Sequence, residues 1–341
     1  MPISNEAMLF RLTAIAIGDD AARETLDMLE LAPEVTGTGE SRVSRPVFAT
    51  ALAALLFRRL LETVPSGAAY VADRIAQGRR INFDHGALRT IRFAEGPTGA
   101  LPGGQDSFAR ILEPLGYEMV KQYPLPRLRM TGHAWCHRDF PEAIPQYFVS
   151  ELHVDQFDDG FGAAARRVFG GSRDPLTPEA LAVLDHFGKF GAVDFADAAA
   201  ALPVIAAAFD RQHGDVDEAD YAVLINQSAE AGWIATEGNA FNHATDRVDD
   251  VEALADALRA EGHPIKDRVE VSQSGRVRQT AFRADIVERG FVTADRQAVT
   301  RGVPGSFFEF ISRDPLPEAT GLDLAFDSAN ATGIFAMTRA A

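Results

Sequence analysis

Apolar positions Met8, Leu9, Leu12 and Ile15 recur at helical spacing, and the helical pattern continues to about residue 75. Ser4 is a candidate N-cap for the first helix. A linker rich in Gly, Glu and Thr over 36–42 leads to the second, where Ser44 is placed to cap and Pro46 to open the first turn. GAAYVADRIAQG, bounded by glycines, predicts a third. The apolar run FATALAALLF is followed at once by Arg58 and Arg59 and is too short to span a bilayer, so it reads as a buried helix.

The period changes near Arg80. INFDHGALRTIRF alternates as a strand does, a helix is predicted near 104–115 with Gly116 as its C-cap, and strands follow around 117–123 and 145–154. Residues 160–222 return to helical patterning, in PEALAVLDHF and AAAALPVIAAAF. The strand–helix order then recurs. AFNHATDRV reads as a strand, VEALADALRAEG as a helix ending at Gly262, and further strands are expected near 268–274, 278–289 and 305–313. SQSGRVRQTAF (272–282) reads as a polar, hairpin-like stretch. It is exposed in the simpler account, with Gln279 and Arg278 within reach of a substrate in the other. The plan is α+β: a helical segment 1–75, a first unit 76–158, a helical insertion 159–225, a second unit 226–315 and a tail 316–341.

The two units share more than element order. FDHGALR (83–89) and FNHATDR (241–247) align with one offset, which carries His85 onto His243 and Arg89 onto Arg247. YFVSEL and SFFEFIS continue the alignment and set Glu151 over Glu309. The fit is good at the ends of the units and loose between them, where the helix-ending glycines Gly116 and Gly262 fall out of step. His85 and Arg89 are four apart on a strand and therefore share a face. If the units close about a pseudo-two-fold axis, His85, His243 and Glu309 converge on one ion. Two histidines and one carboxylate with open positions are the donor set of non-haem Fe(II) oxygenases. Glu151 is left as a fourth ligand, an outer hydrogen-bond acceptor, a substrate contact or a salt-bridge partner. His133, His137 and His153 surround Cys136, but their spacing matches no zinc pattern. His186, His213 and His263 are expected at the surface.

Charge narrows the partners. With 49 acidic against 33 basic residues, the chain carries a net charge of −16, which opposes binding to nucleic acid. It also repels anionic substrates, so an acid substrate requires a local arginine. Cys136 is the only cysteine, so no intramolecular disulfide can form. MPISNEAMLF lacks the basic and apolar regions of a signal peptide. A cytoplasmic protein with no membrane association is the expectation, and the oligomeric state stays open.

INFDHGALRTI, YFVSEL, EGNAFNHATDRV and GSFFEFISR, in that order, resemble the 2-oxoadipate dioxygenase/decarboxylase family (2-hydroxyglutarate synthases) over roughly residues 75–315. The resemblance implies two tandem vicinal-oxygen-chelate-like βαβββ modules forming a central metal-binding sheet, with helical segments around it. It places Fe(II) ligands at His85, His243 and Glu309 and the substrate-carboxylate arginine at Arg89. The implied reaction converts 2-oxoadipate and dioxygen to 2-hydroxyglutarate and carbon dioxide, in lysine catabolism, with the substrate serving as its own oxo-acid. Two alternatives remain: a non-redox isomerase or lyase of the same fold, and a dioxygenase for a related 2-oxo acid.

Overall fold

In the computed structural model, which describes residues 3–317, 321–327 and 336–338, eight strands form one curled sheet. The first four are β1 (Phe83–Arg92), β2 (Tyr117–Leu125), β3 (Met130–His137) and β4 (Gln146–His153). The last four are β5 (Phe241–Arg247), β6 (Glu270–Val271), β7 (Val277–Ala281) and β8 (Phe307–Arg313). Their spatial order is β2-β3-β4-β1-β5-β8-β7-β6. Each half is a βαβββ unit, with the helix Asp106–Leu112 after β1 and Val251–Ala260 after β5.

The halves meet at β1 and β5, which run antiparallel with His85 opposite Thr245 and Ala87 opposite His243. Those two pairs interchange under a two-fold rotation, so the repeat seen in the sequence is a symmetry of the sheet.

Alternation along the strands divides the sheet into an outer and an inner face. In β8, Phe308 and Phe310 point outward and pack with Tyr70 and Phe282, ring centroids 4.8–6.3 Å apart. Burying each such aromatic is worth roughly 1.5–3 kcal/mol. Phe308 also meets Phe57 of the long helix Arg45–Thr63, so the outer face is covered by the N-terminal helices. Glu309, one residue out of phase with those rings, points inward. One end of the inner face is closed by a second cluster in which Ile91, Met130 and Leu152 pack with Phe161, Trp233 and Ile234 from the helical segments.

Several local expectations are revised. β3 lies in a stretch with no predicted strand, because nearly every residue in it is buried and the alternation is lost. The span 278–289 divides into β7 and a hairpin arm, Ile286–Val292, which pairs with Ala298–Pro304 outside the main sheet. The first helix starts at Met8 with Ala7 in the cap position, so Ser4 lies ahead of it. Ser44 does stand at the N-cap of Arg45–Thr63, without a capping side-chain bond. His213 is buried, its Nε2 2.9 Å from the Ala235 carbonyl oxygen. No helix among the described residues is long and apolar enough to cross a membrane. A late strand in the tail falls largely outside the described residues.

Candidate metal centre

His85 comes from β1, His243 from β5 and Glu309 from β8, three adjacent strands, all pointing to the inner face. The His85 and His243 Nε2 atoms are 3.3 Å apart, and Glu309 Oε2 lies 3.1 Å from the first and 3.3 Å from the second. Donors about 2.1 Å from one ion and 90–109° apart sit about 3.0–3.4 Å from each other. The three side chains therefore fit a single divalent ion without rearrangement. Among the described residues, they are the one group of three or more His, Cys, Asp or Glu that converges in this way.

Electrostatics agree with a ligand set. Burial and the neighbouring His85 and Arg89 push His243 down to about 3 against the pull of Glu309, which keeps a lone pair available. Burial would raise Glu309, but His243, His85 and a 2.6 Å bond from Thr245 Oγ1 outweigh it and hold the carboxylate at about 2. His85 is depressed by burial but raised overall by Asp84 and Glu309.

The strand registers show what became of the fourth position. In the second half His243 lies beside Phe307 and Thr245 beside Glu309; in the first, His85 lies beside Gln146 and Ala87 beside Phe148. The residue equivalent to Glu309 is thus Phe148. The alignment that matched Glu151 to Glu309 slips by three residues in the last strand. An odd slip also reverses the face.

Glu151 consequently shares the outer face with Tyr147 and Val149. There it bonds Arg92 Nε at 2.6 Å and the Gln105 amide at 3.1 Å, with His133 Nε2 3.4 Å away. It belongs to none of the ligand group. Burial raises its carboxyl, but His133, Arg92 and the Gln105 amide win and hold it at about 2. Its folded value lies below the ordinary 4.5, so the stability it contributes is complete above pH 4.5 and is lost as pH falls toward 2. Glu151→Gln is expected to cost about 1–3 kcal/mol at pH 7 and to leave metal binding intact. Thermal unfolding and metal analysis check both, and the stability gap should close between pH 4.5 and 2.

A family model described as 2-oxoadipate dioxygenase/decarboxylase matches residues 52–335. The chain belongs to the 2-oxoadipate dioxygenase/decarboxylase family. A solved structure of a putative glyoxalase superfamily protein from Ralstonia eutropha JMP134 superposes with a TM-score of 0.89 at 47% identity, covering 94% of this chain and 98% of that one. Hydroxyglutarate synthase from Oryza sativa, solved in complex with 2-oxoadipate, shares the fold at a TM-score of 0.65 and 19% identity, covering 91% and 95%. The Pseudomonas putida hydroxyglutarate synthase, also with 2-oxoadipate, gives 0.60 and 20%, covering 88% of this chain and 74% of that one. No curated protein sequence matches this chain.

In this member of the dioxygenase/decarboxylase family, the inner face carries further groups. Arg89 follows His85 and Ala87 on the same side of β1 and is fully buried. Its guanidinium lies 4.9 Å from the Trp233 ring and donates to Thr338 Oγ1 at 2.9 Å. Gln279 is buried, two residues from Ala281, which lies directly beside Glu309; it therefore faces inward and is no exposed hairpin residue.

Unforeseen from the sequence is an aromatic wall. Phe326 stands edge-on to His85 with centroids 4.9 Å apart, packs on Phe148 at 4.9 Å, and its amide donates to Tyr123 Oη at 3.0 Å. Gly132 makes room for the Phe148 ring, which a Cβ there would run into. The suspected cluster around Cys136 disperses: His133 faces Glu151, His153 bonds Thr131, and His137 Nδ1 accepts from the Asp139 and Phe140 amides. Burial pushes the Cys136 thiol up to about 11, which makes it unreactive.

Proposed function

We propose that this chain is an Fe(II)-dependent enzyme that converts 2-oxoadipate and dioxygen to 2-hydroxyglutarate and carbon dioxide. The observation that carries this reading is the convergence of two imidazoles and one carboxylate with a phenylalanine, not a fourth donor, in the remaining symmetric position. Family membership supplies the substrate. His85, His243 and Glu309 would hold the iron, which when bound supplies electrons to dioxygen and a template for the oxo-acid's carboxylate and keto oxygens.

The protein's own groups do the rest. Arg89 binds a substrate carboxylate through paired N–H donors, a geometry a lysine cannot reproduce. Its seat over Trp233 holds the guanidinium plane before substrate arrives. Thr245 fixes Glu309 as an ionised donor. Phe148 and Phe326 keep water from the reacting end of the substrate, and Gln279 offers an amide on the opposite flank. The reaction balances: six substrate carbons become a five-carbon hydroxy acid and carbon dioxide. One oxygen atom enters the new carboxylate and the other the hydroxyl.

Fe(II)-loaded protein given 2-oxoadipate is expected to consume one dioxygen for each carbon dioxide and each 2-hydroxyglutarate formed, measured by an oxygen electrode with product analysis. Iron-loaded protein that consumes no oxygen with 2-oxoadipate or its near homologues would overturn the reading. Turnover of an oxo-acid without oxygen would favour non-redox chemistry on the same scaffold.

A further inference from the structure

We infer that Asp84 is the positioning residue for His85, clamped in that role by Arg313. Consecutive residues of a regular strand point to opposite faces, so Asp84 and His85 should be unable to meet. The register between β1 and β5 shifts between Phe83 and His85, and this bulge turns Asp84 onto its own neighbour. Its Oδ1 lies 2.8 Å from His85 Nδ1. Arg313 donates to the same carboxylate from Nε and Nη2 at 2.8–3.1 Å, and its Nη1 donates to the Asp323 and Ala325 carbonyl oxygens. All three side chains are at most 3% exposed.

A buried ion pair is a poor source of net stability, because desolvation offsets most of the attraction. This one has a directional consequence instead. An Asp84 carboxylate accepting from Nδ1–H leaves the lone pair on Nε2, the atom that faces His243 and Glu309. The second imidazole has no such support: Asn242 stands where the repeat would put the aspartate, and among the described residues His243 Nδ1 has no hydrogen-bond partner. The two histidines are therefore unequal, with His85 the pre-set donor and His243 the adaptable one. Arg313 also ties the pre-set donor to the segment 323–325, so the orientation of His85 and the seating of that segment share one guanidinium.

The inference rests on the metal-centre reading and is tested on the full-length chain by Co(II) titration, following affinity and the visible absorption of the bound ion. In Asp84→Asn the amide oxygen stays with Arg313 and the NH2 faces Nδ1, which moves the imidazole proton to Nε2. Co(II) should bind about 10–100-fold more weakly and with an altered spectrum, while circular dichroism stays that of the wild type. If the single variant fails to fold with Arg313 left unpaired, Asp84→Ala/Arg313→Met removes both charges together and carries the same expectation. Wild-type affinity and spectrum in a folded Asp84 variant would overturn the positioning role and leave the metal centre standing. If His85→Ala binds Co(II) as well as the wild type, the metal-centre reading fails and this inference falls with it.

Discussion

His243→Ala should abolish stoichiometric binding of a divalent ion and reduce turnover to background. The loss should exceed the roughly 10–100-fold penalty typical of groups that only support a ligand, because one of three donors disappears and the two left cannot hold an ion against water. The fold should survive. The His243 ring takes part in a small part of the inner-face packing, against Phe307 and His85, and its Nδ1 bonds to none of the described residues, so truncation costs about 1–3 kcal/mol. Metal analysis after dialysis and an oxygen-uptake assay check the two halves of the expectation. Full metal content in the folded variant would remove His243 from the ligand set. His85→Ala should behave alike in metal content but be less stable, since it also takes from the buried Asp84 one of its hydrogen-bond donors.

Arg89→Ala should separate substrate binding from metal binding. Metal content should stay at the wild-type level, because Arg89 lies outside the donor group. The loss should fall on kcat/KM, by about 100- to 1000-fold. At about 1.4 kcal/mol per tenfold that is about 3–4 kcal/mol, the scale for truncating one member of a buried, hydrogen-bonded charge pair. Arg89→Lys should recover little, since an ammonium offers neither the paired donors nor the flat face that lies over Trp233. Initial rates across a 2-oxoadipate series, with iron quantified in the same samples, decide it. Loss of iron from Arg89→Ala would contradict the assignment.

The convergence of His85, His243 and Glu309 was legible because duplication left the same phrase twice, and symmetry about β1 and β5 then requires the two histidines to meet. Glu309 was legible from its aromatic neighbours, whose alternation leaves it on the opposite face. Glu151 misled for a physical reason. The first half has a long loop, residues 93–105, before its helix, and the second has the hairpin Ile286–Pro304 before its last strand. These insertions nearly cancel in length, so the two His-to-Glu spacings match although the registers do not. For Gln279 the polar segment left an exposed hairpin and a substrate contact both open; β8 on one side and β6 on the other enclose it. Asp84 could not be placed from periodicity, since its contact with His85 exists only through a bulge. Phe326 and Arg313 meet the site across long separations that no local pattern encodes.

The phenylalanine at position 148 has an electrical consequence. Two neutral imidazoles and one carboxylate around a divalent ion leave one positive charge in excess; a second carboxylate, at the place symmetry offers, would have cancelled it. With a divalent ion bound there and Arg89 on the same face, the inner side of the sheet would be a cationic well inside a molecule whose net charge is −16. A dicarboxylate approaching the metal-loaded protein would therefore be repelled by the outside and retained by the inside. Its capture should weaken as added salt screens the well.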